Sequence, residues 1–135
     1  MIDIYVDQIM TDDPITVEKS QPISEAGAVM IEAGIKSVIV SDSDGRPVGI
    51  LTSTDVLQMA ADGTAPTAVR IAECMTRDIV TTTPDTPVNE AANRMLENDI
   101  SHLPVVRDGG QLIGIVSTTD VAAYVSGSSN LLQVD

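Results

Sequence analysis

A chain of 135 residues carrying only 7 Lys and Arg against 20 Asp and Glu has a formal net charge of −13. That field disfavours nucleic acid, whose binding needs Lys and Arg to displace counterions, and it disfavours anionic membrane surfaces. A single cysteine, Cys74, excludes an internal disulfide, and together with a single histidine, His102, it leaves too few ligands for a zinc site. No apolar run approaches the roughly 18 residues of a membrane span, and Ile2-Asp3-Ile4-Tyr5 does not open a signal peptide, so a soluble cytoplasmic protein is expected. Lysine occurs only as Lys19 and Lys36, and the acids are dispersed. This pattern suits a halophilic cytoplasm, where the Debye length falls to about 3 Å and self-repulsion is screened.

The chain repeats itself without a gap at a shift of 65 positions, Met10-Thr11 falling on Met75-Thr76 and Glu25-Ala26 on Glu90-Ala91. Two copies are too few for a solenoid. Each copy, at about 60 residues, would bury only roughly 60% of its unfolded surface, so the two are expected to fold as one unit about a pseudo-twofold axis. Aromatic residues are limited to Tyr5 and Tyr124, which leaves the core to aliphatic side chains.

Each repeat opens with an apolar i, i+3, i+4 set, Val6, Ile9 and Met10 or Ile71, Cys74 and Met75, that fits one helical turn. Because Cys74 replaces Ile9, it reads as a buried structural thiol. Extended stretches follow at Ile15-Thr16-Val17 and Ile79-Val80-Thr81. Pro22 and Pro87 then mark helix starts, with Thr86 a good N-cap and Gln21 a poor one. Ala26, Met30 and Ala33, like Ala91, Met95 and Leu96, supply apolar stripes, and Gly34 and Asn98 suit left-handed helix ends. Val38-Ile39-Val40 and Val48-Gly49-Ile50-Leu51 flank Asp42-Ser43-Asp44-Gly45 as a β-hairpin, and Leu103 to Val106 and Leu112 to Val116 form its echo. Asp42-x-Asp44-Gly45 lacks the closing Glu of a calcium loop. Final helices near Ser53 and Thr118 carry Val56, Leu57 and Ala60 or Val121, Ala122 and Val125. The expected class is α+β, two β-α-β-β-α repeats over residues 1–61 and 69–125, with a connector at 62–68 and a tail at 126–135 whose Leu131, Leu132 and Val134 could dock on a neighbour.

Gly49-Ile-Leu-Thr52-Ser-Thr-Asp55 and Gly114-Ile-Val-Ser117-Thr-Thr-Asp120 carry the strongest chemical signal. Ser/Thr followed three residues later by Asp can simply close a capping box. The same geometry offers backbone donors and a hydroxyl to a phosphate, and a carboxylate to two ribose hydroxyls. The two glycines would let a ligand approach the backbone. No P-loop, dinucleotide fingerprint or nucleophile with a positioned base accompanies these motifs, which argues against an enzyme.

These stretches, the Met-Thr openings and Ile100-Ser101-His102-Leu103-Pro104-Val105-Val106 resemble a tandem pair of cystathionine-β-synthase (CBS) domains, a Bateman module, over about residues 4–125. The resemblance implies two clefts between repeats for adenosine-containing ligands, AMP, ADP, ATP or S-adenosylmethionine, with no cofactor required. It assigns Thr52 and Ser117 to phosphate and Asp55 and Asp120 to ribose. It puts Thr11, Asp13 and Ile15, with Thr76, Asp78 and Val80, at the adenine, and completes the pockets with Lys36 to Ile39 and Ser101 to Pro104. His102 lies where many relatives hold a basic residue facing phosphate, and Lys36 is the nearest cation in the first repeat. The expected role is a regulatory sensor, commonly a homodimer in this family, signalling to an unknown effector protein. The alternative is a ligand-free dimerisation or scaffolding module.

Overall fold

The computed structural model describes residues 4–127, so Leu131, Leu132 and Val134 of the expected tail lie outside the described residues. In chain order the main elements are β1 (Thr11–Asp12), β2 (Thr16–Glu18), α1 (Ile23–Ala33), β3 (Ser37–Ser41), β4 (Pro47–Thr52), α2 (Ser53–Ala61), α3 (Val88–Asn98), β5 (His102–Arg107), β6 (Gln111–Ser117) and α4 (Thr118–Ser126), with 3₁₀ turns at Val6–Gln8 and Ile71–Glu73. The α+β class and the internal repeat both stand. No helix among the described residues is long and apolar enough to cross a membrane.

Compactness divides the chain differently from the repeats. Pro14–Ile79 forms one unit, and the described residues up to Asp13 join those from Val80 onward in the other. The first unit holds the sheet β2-β3-β4, in which β2 and β3 run parallel and β3 and β4 antiparallel. The second holds the antiparallel sheet β1-β6-β5.

The mismatch arises because each repeat lends its opening turn to the other repeat's core. Ile71 and Met75 pack with Val17, Ile23, Met30, Val38, Val40 and Leu51. Val6 packs with Ala91, Met95, Leu103, Val105 and Val116. Backbone bonds match at the same shift: Val6 N–H donates to Thr86 O and Val88 N–H to Ile4 O, as Ile71 N–H does to Gln21 O and Ile23 N–H to Val69 O, all at 2.9 Å. A short turn with one buried side chain cannot bury its apolar face alone, and lending it fills a core that a 60-residue half leaves thin.

Several local expectations are corrected. Pro22 and Pro87 are the N-cap residues themselves, with helices starting at Ile23 and Val88. Thr86 is not a cap: it is buried, and its hydroxyl lies 2.9 Å from that of Thr83. Gly34 ends α1 in the left-handed region as expected, but Asp99 (φ 52°), not Asn98, does so for α3. Ile79-Val80-Thr81 forms no strand, and the only pairing there is a parallel bridge between Thr82 and Val105. The helix stripes centre on Ile23, Ala26 and Met30 and on Val88, Ala91 and Met95. Ala33, Leu57, Leu96 and Val125 point to solvent instead, because the sheet covers only one narrow face of each helix. The Asp42 turn forms as expected, its carboxylate accepting from the N–H groups of Asp44 and Arg46.

Candidate functional site

The Ser/Thr-x-x-Asp stretches sit where a strand of each hairpin turns into a helix. Thr52 is extended (φ −110°) and caps α2, and Ser117 (φ −119°) caps α4. Thr52 Oγ1 accepts from the Asp55 N–H at 3.2 Å, and Asp55 Oδ2 accepts from the Thr52 N–H at 2.9 Å. The second copy repeats this, at 3.1 Å for Ser117 Oγ and 2.8 Å for Asp120 Oδ2. Both stretches are therefore closed capping boxes. Each box uses one carboxylate oxygen, so Oδ1 of Asp55 and of Asp120 is left as an acceptor, and each hydroxyl keeps its proton to donate. All four residues are partly exposed.

Strand register then gathers the other expected residues into two sets. Across the second unit's sheet, Thr11, Ile115 and Pro104 form one row, and Ser117 lies opposite His102. Asp13 follows, its N–H directed at Ile113 O, and Val80 packs against the same core. In the first unit Thr76 bridges Ile50, which pairs with Ile39, and Ser53 N–H donates to Lys36 O. Ile15 and Asp78 belong to that unit and are exposed, as are Thr76 and Lys36. Thr11 and Asp13 thus share a unit with Asp120, and Thr76 and Asp78 share one with Asp55. These four accompany the other repeat's acid, whereas Ile15 stays in the unit of Asp55 and Val80 in that of Asp120, so each expected trio is divided. Ile39 (1% exposed) and Pro104 are covered, unlike the rest of the set.

The glycines have a different purpose from the one expected. A Cβ on Gly114 would lie 2.6 Å from Met10 Sδ and 2.9 Å from Thr11 O, and one on Gly49 would lie 2.5 Å from Met75 Sδ and 3.1 Å from Thr76 O. What approaches the backbone is the chain's own Met-Thr opening, seated on the strand of the other repeat. This explains why Met-Thr and Gly recur together.

Burial lowers the pKa of His102 below its usual value, against an opposing pull from Asp120. The imidazole is therefore held neutral beside the carboxylate at pH 7. Among the described residues no cluster of three His, Cys, Asp or Glu side chains could hold a metal ion. One concavity was not anticipated: a cavity of about 390 Å³ lined by Ile4, Gln8, Ile9, Asp120, Ala123 and Tyr124. Its signal in the sequence was Tyr124, one of only two tyrosines, placed one helical turn beyond Asp120.

The CBS domain family model matches residues 6–62 and 71–127, nearly the whole chain. The chain belongs to the CBS domain family. An uncharacterized 17.7 kDa protein of Acidianus ambivalens is 38% identical over 87% of this CBS pair and 70% of its own length. A homoserine O-acetyltransferase of Methanohalobium evestigatum is 35% identical over 90% of this chain, but the match spans only 24% of the enzyme. Among solved structures, the CBS domain pair of protein MJ0100, crystallised with 5′-methylthioadenosine and S-adenosyl-L-methionine, matches with a TM-score of 0.87 and 32% identity, over 94% of this chain and 99% of that one.

Proposed function

We propose that this CBS pair is a non-catalytic regulatory module that binds an adenosine-containing ligand and passes its occupancy to a partner. The observation that carries this reading is the half-used carboxylate: each capping box fixes its Asp with one oxygen and leaves the other to accept from a ribose hydroxyl. In this reading Asp55 and Asp120 hold ribose, and Thr52 and Ser117 donate to a ligand oxygen. Thr11, Asp13, Ile15, Thr76, Asp78 and Val80 flank the base, with Lys36, Ile39, His102 and Pro104 behind. The methylthioadenosine and S-adenosylmethionine bound by the MJ0100 pair support an adenosyl ligand over other nucleosides. Occupancy reaches a partner only through the ligand's differential affinity for two states.

Thermal shift across adenosine, methylthioadenosine, S-adenosylmethionine, AMP, ADP and ATP tests the proposal. A ligand at about 100 times its dissociation constant should add ~2.7 kcal/mol of stability, and Asp55→Asn combined with Asp120→Asn should remove that gain. If none of the six shifts the wild type, the sensor reading fails and scaffolding takes its place.

The scaffolding reading has its own support in exposed aliphatic side chains on four helices, Ile31 (83%) on α1, Leu57 (70%) on α2, Leu96 (78%) on α3 and Val125 (75%) on α4. These fit a second copy of the chain, so a homodimer is part of the proposal. Light scattering of the wild type and of Ile31→Asp with Leu96→Asp decides it; a monomeric wild type ends the dimer.

A further inference from the structure

The two opening turns are not joined to the chain in the same way. Ile71 to Met75 lies inside Pro14–Ile79, the continuous unit it completes, whereas the described residues up to Asp13 belong to the unit of Val80 onward. The whole of Pro14–Ile79 separates that arm, residues 4–13, from its unit in sequence, and the arm joins the rest of the chain only through the Asp13–Pro14 bond. What holds it in place is docking. Val6 is fully buried among Ala91, Met95, Leu103, Val105 and Val116. Val6 and Asp7 N–H donate to Thr86 O and Pro84 O at 2.9 and 3.0 Å, and Ile4 O accepts from Val88 N–H. Thr11 and Asp12 pair with Ile115 and Gly114 at the sheet's edge, so β1 can leave without parting β6 from β5. A Cβ on Gly114 would collide with Met10 Sδ, so the groove is shaped to this arm.

The joint between arm and body is strained. Asp13 has φ 50°, in the left-handed region that an L-residue occupies at a cost glycine would not pay. It also precedes Pro14, and a residue before proline is driven toward extended backbone. Pro14 fixes its own φ, so the turn cannot spread onto the next residue. The matching joint of the second repeat, Asp78-Ile79, has neither the proline nor the positive φ. Letting Asp13 extend swings the arm out of its own groove, and the surface that then fits it is the identical groove of another molecule. Such an exchange conserves every docking contact and relaxes two joints per pair, against the entropy of association.

We propose that two copies of this chain trade residues 4–13, each arm filling the other's groove, in a dimer closed by a twofold exchange. Thr11 and Asp13 of each copy then stand on the unit that holds the partner's Asp120, so that unit is completed by a second molecule. This pairing is separate from any contact of helix faces at Ile31 and Leu96. Because Val6 must leave a core before arms can be traded, the closed and exchanged forms interconvert slowly.

Light scattering on wild type refolded from urea, once concentrated and once dilute, tests the exchange first. The expected result is a dimer after concentrated refolding that persists on dilution, and a monomer after dilute refolding. Mixing that dimer with an isotope-labelled one should give hybrids in native mass spectrometry only after the mixture is unfolded and refolded. A disulfide then identifies the arm. In a Cys74→Ser background, Thr11→Cys with Ile115→Cys places two thiols at a paired position of β1 and β6. The isolated dimer should then run as a covalent dimer on a non-reducing denaturing gel. Asp13→Gly relaxes the closed joint and should weaken the dimer about tenfold, while Ile31→Asp with Leu96→Asp should leave it intact. No dimer after concentrated refolding, hybrids on simple mixing, or disulfides confined to single chains would each overturn the exchange. So would loss of the dimer in the helix-face variant, and an Asp13→Gly dimer as tight as the wild type would overturn the role of the joint. The refolding and mixing results are read on the wild type, so neither depends on how a variant folds.

Discussion

Thr82 holds in the second repeat the place of Val17 in the first, each pairing with the central valine of its hairpin, Val105 or Val40. Its backbone is satisfied, N–H to Pro104 O and O from Val106 N–H, but its hydroxyl is buried without a partner. A buried unsatisfied polar group costs about 1–3 kcal/mol. Thr82→Val should therefore stabilise the protein by about 1 kcal/mol, seen as a rise of a few degrees in melting temperature; an unchanged or lower midpoint would mean the hydroxyl has a partner in solution. His102 acts in the opposite sense as pH falls. Its folded pKa is depressed by burial, so its contribution is fully present above the unfolded value of 6.5 and is lost as pH falls through the folded value, because the unfolded chain takes the proton first. Urea titrations between pH 7.5 and 5 should show a steeper loss of stability for the wild type than for His102→Gln. Parallel curves would mean that burial does not perturb the imidazole.

At the scale of elements, the helix caps and the glycine contacts carry separable energies. Thr52→Ala and Ser117→Ala each remove the hydroxyl half of a capping box, leaving the backbone N–H to the Asp carboxylate, and should cost about 1 kcal/mol. Hydrogen exchange should quicken in the first turn of α2 or α4 respectively, and equal protection in both variants would show the caps to be idle. Gly114→Ala acts on a different joint. Its Cβ would meet a backbone oxygen, Thr11 O, as well as the movable Met10 side chain, so β6 and the opening strand must separate. Overpacking of this kind costs about 1–3 kcal/mol. Gly49→Ala meets mainly the flexible end of Met75 and should cost less, an order that urea melts of the two variants can check.

Across the whole molecule the charge of −13 opposes compaction at low ionic strength. Molar KCl shortens the Debye length to about 3 Å and should raise the melting temperature. A midpoint indifferent to KCl from low to molar concentration would remove the high-salt interpretation of this composition. The lent opening turns add a cooperative element, since the second unit joins chain from before Pro14 to chain from Val80 onward, while the first is the continuous segment Pro14–Ile79. Removing residues 1–10 takes Val6 from the core of the second unit and should destabilise that unit, read as lost exchange protection in β5 and β6.

The shift-65 repeat and its ordered apolar and turn signals were enough to determine the α+β class, and the resemblance of the doubled Ser/Thr-x-x-Asp stretches and their neighbours to CBS domains gave the family. These signals are local or periodic, and a periodic signal survives without knowledge of tertiary contacts. The tertiary structure alone decided that the repeats lend each other their opening turns, because such an exchange leaves every local pattern unchanged. It also decided that Gly49 and Gly114 receive Met75 and Met10, and that Tyr124 borders a cavity while its counterpart Met59 meets Cys74. Which side chains meet across a fold depends on distant contacts, and residue spacing within one repeat holds no record of them.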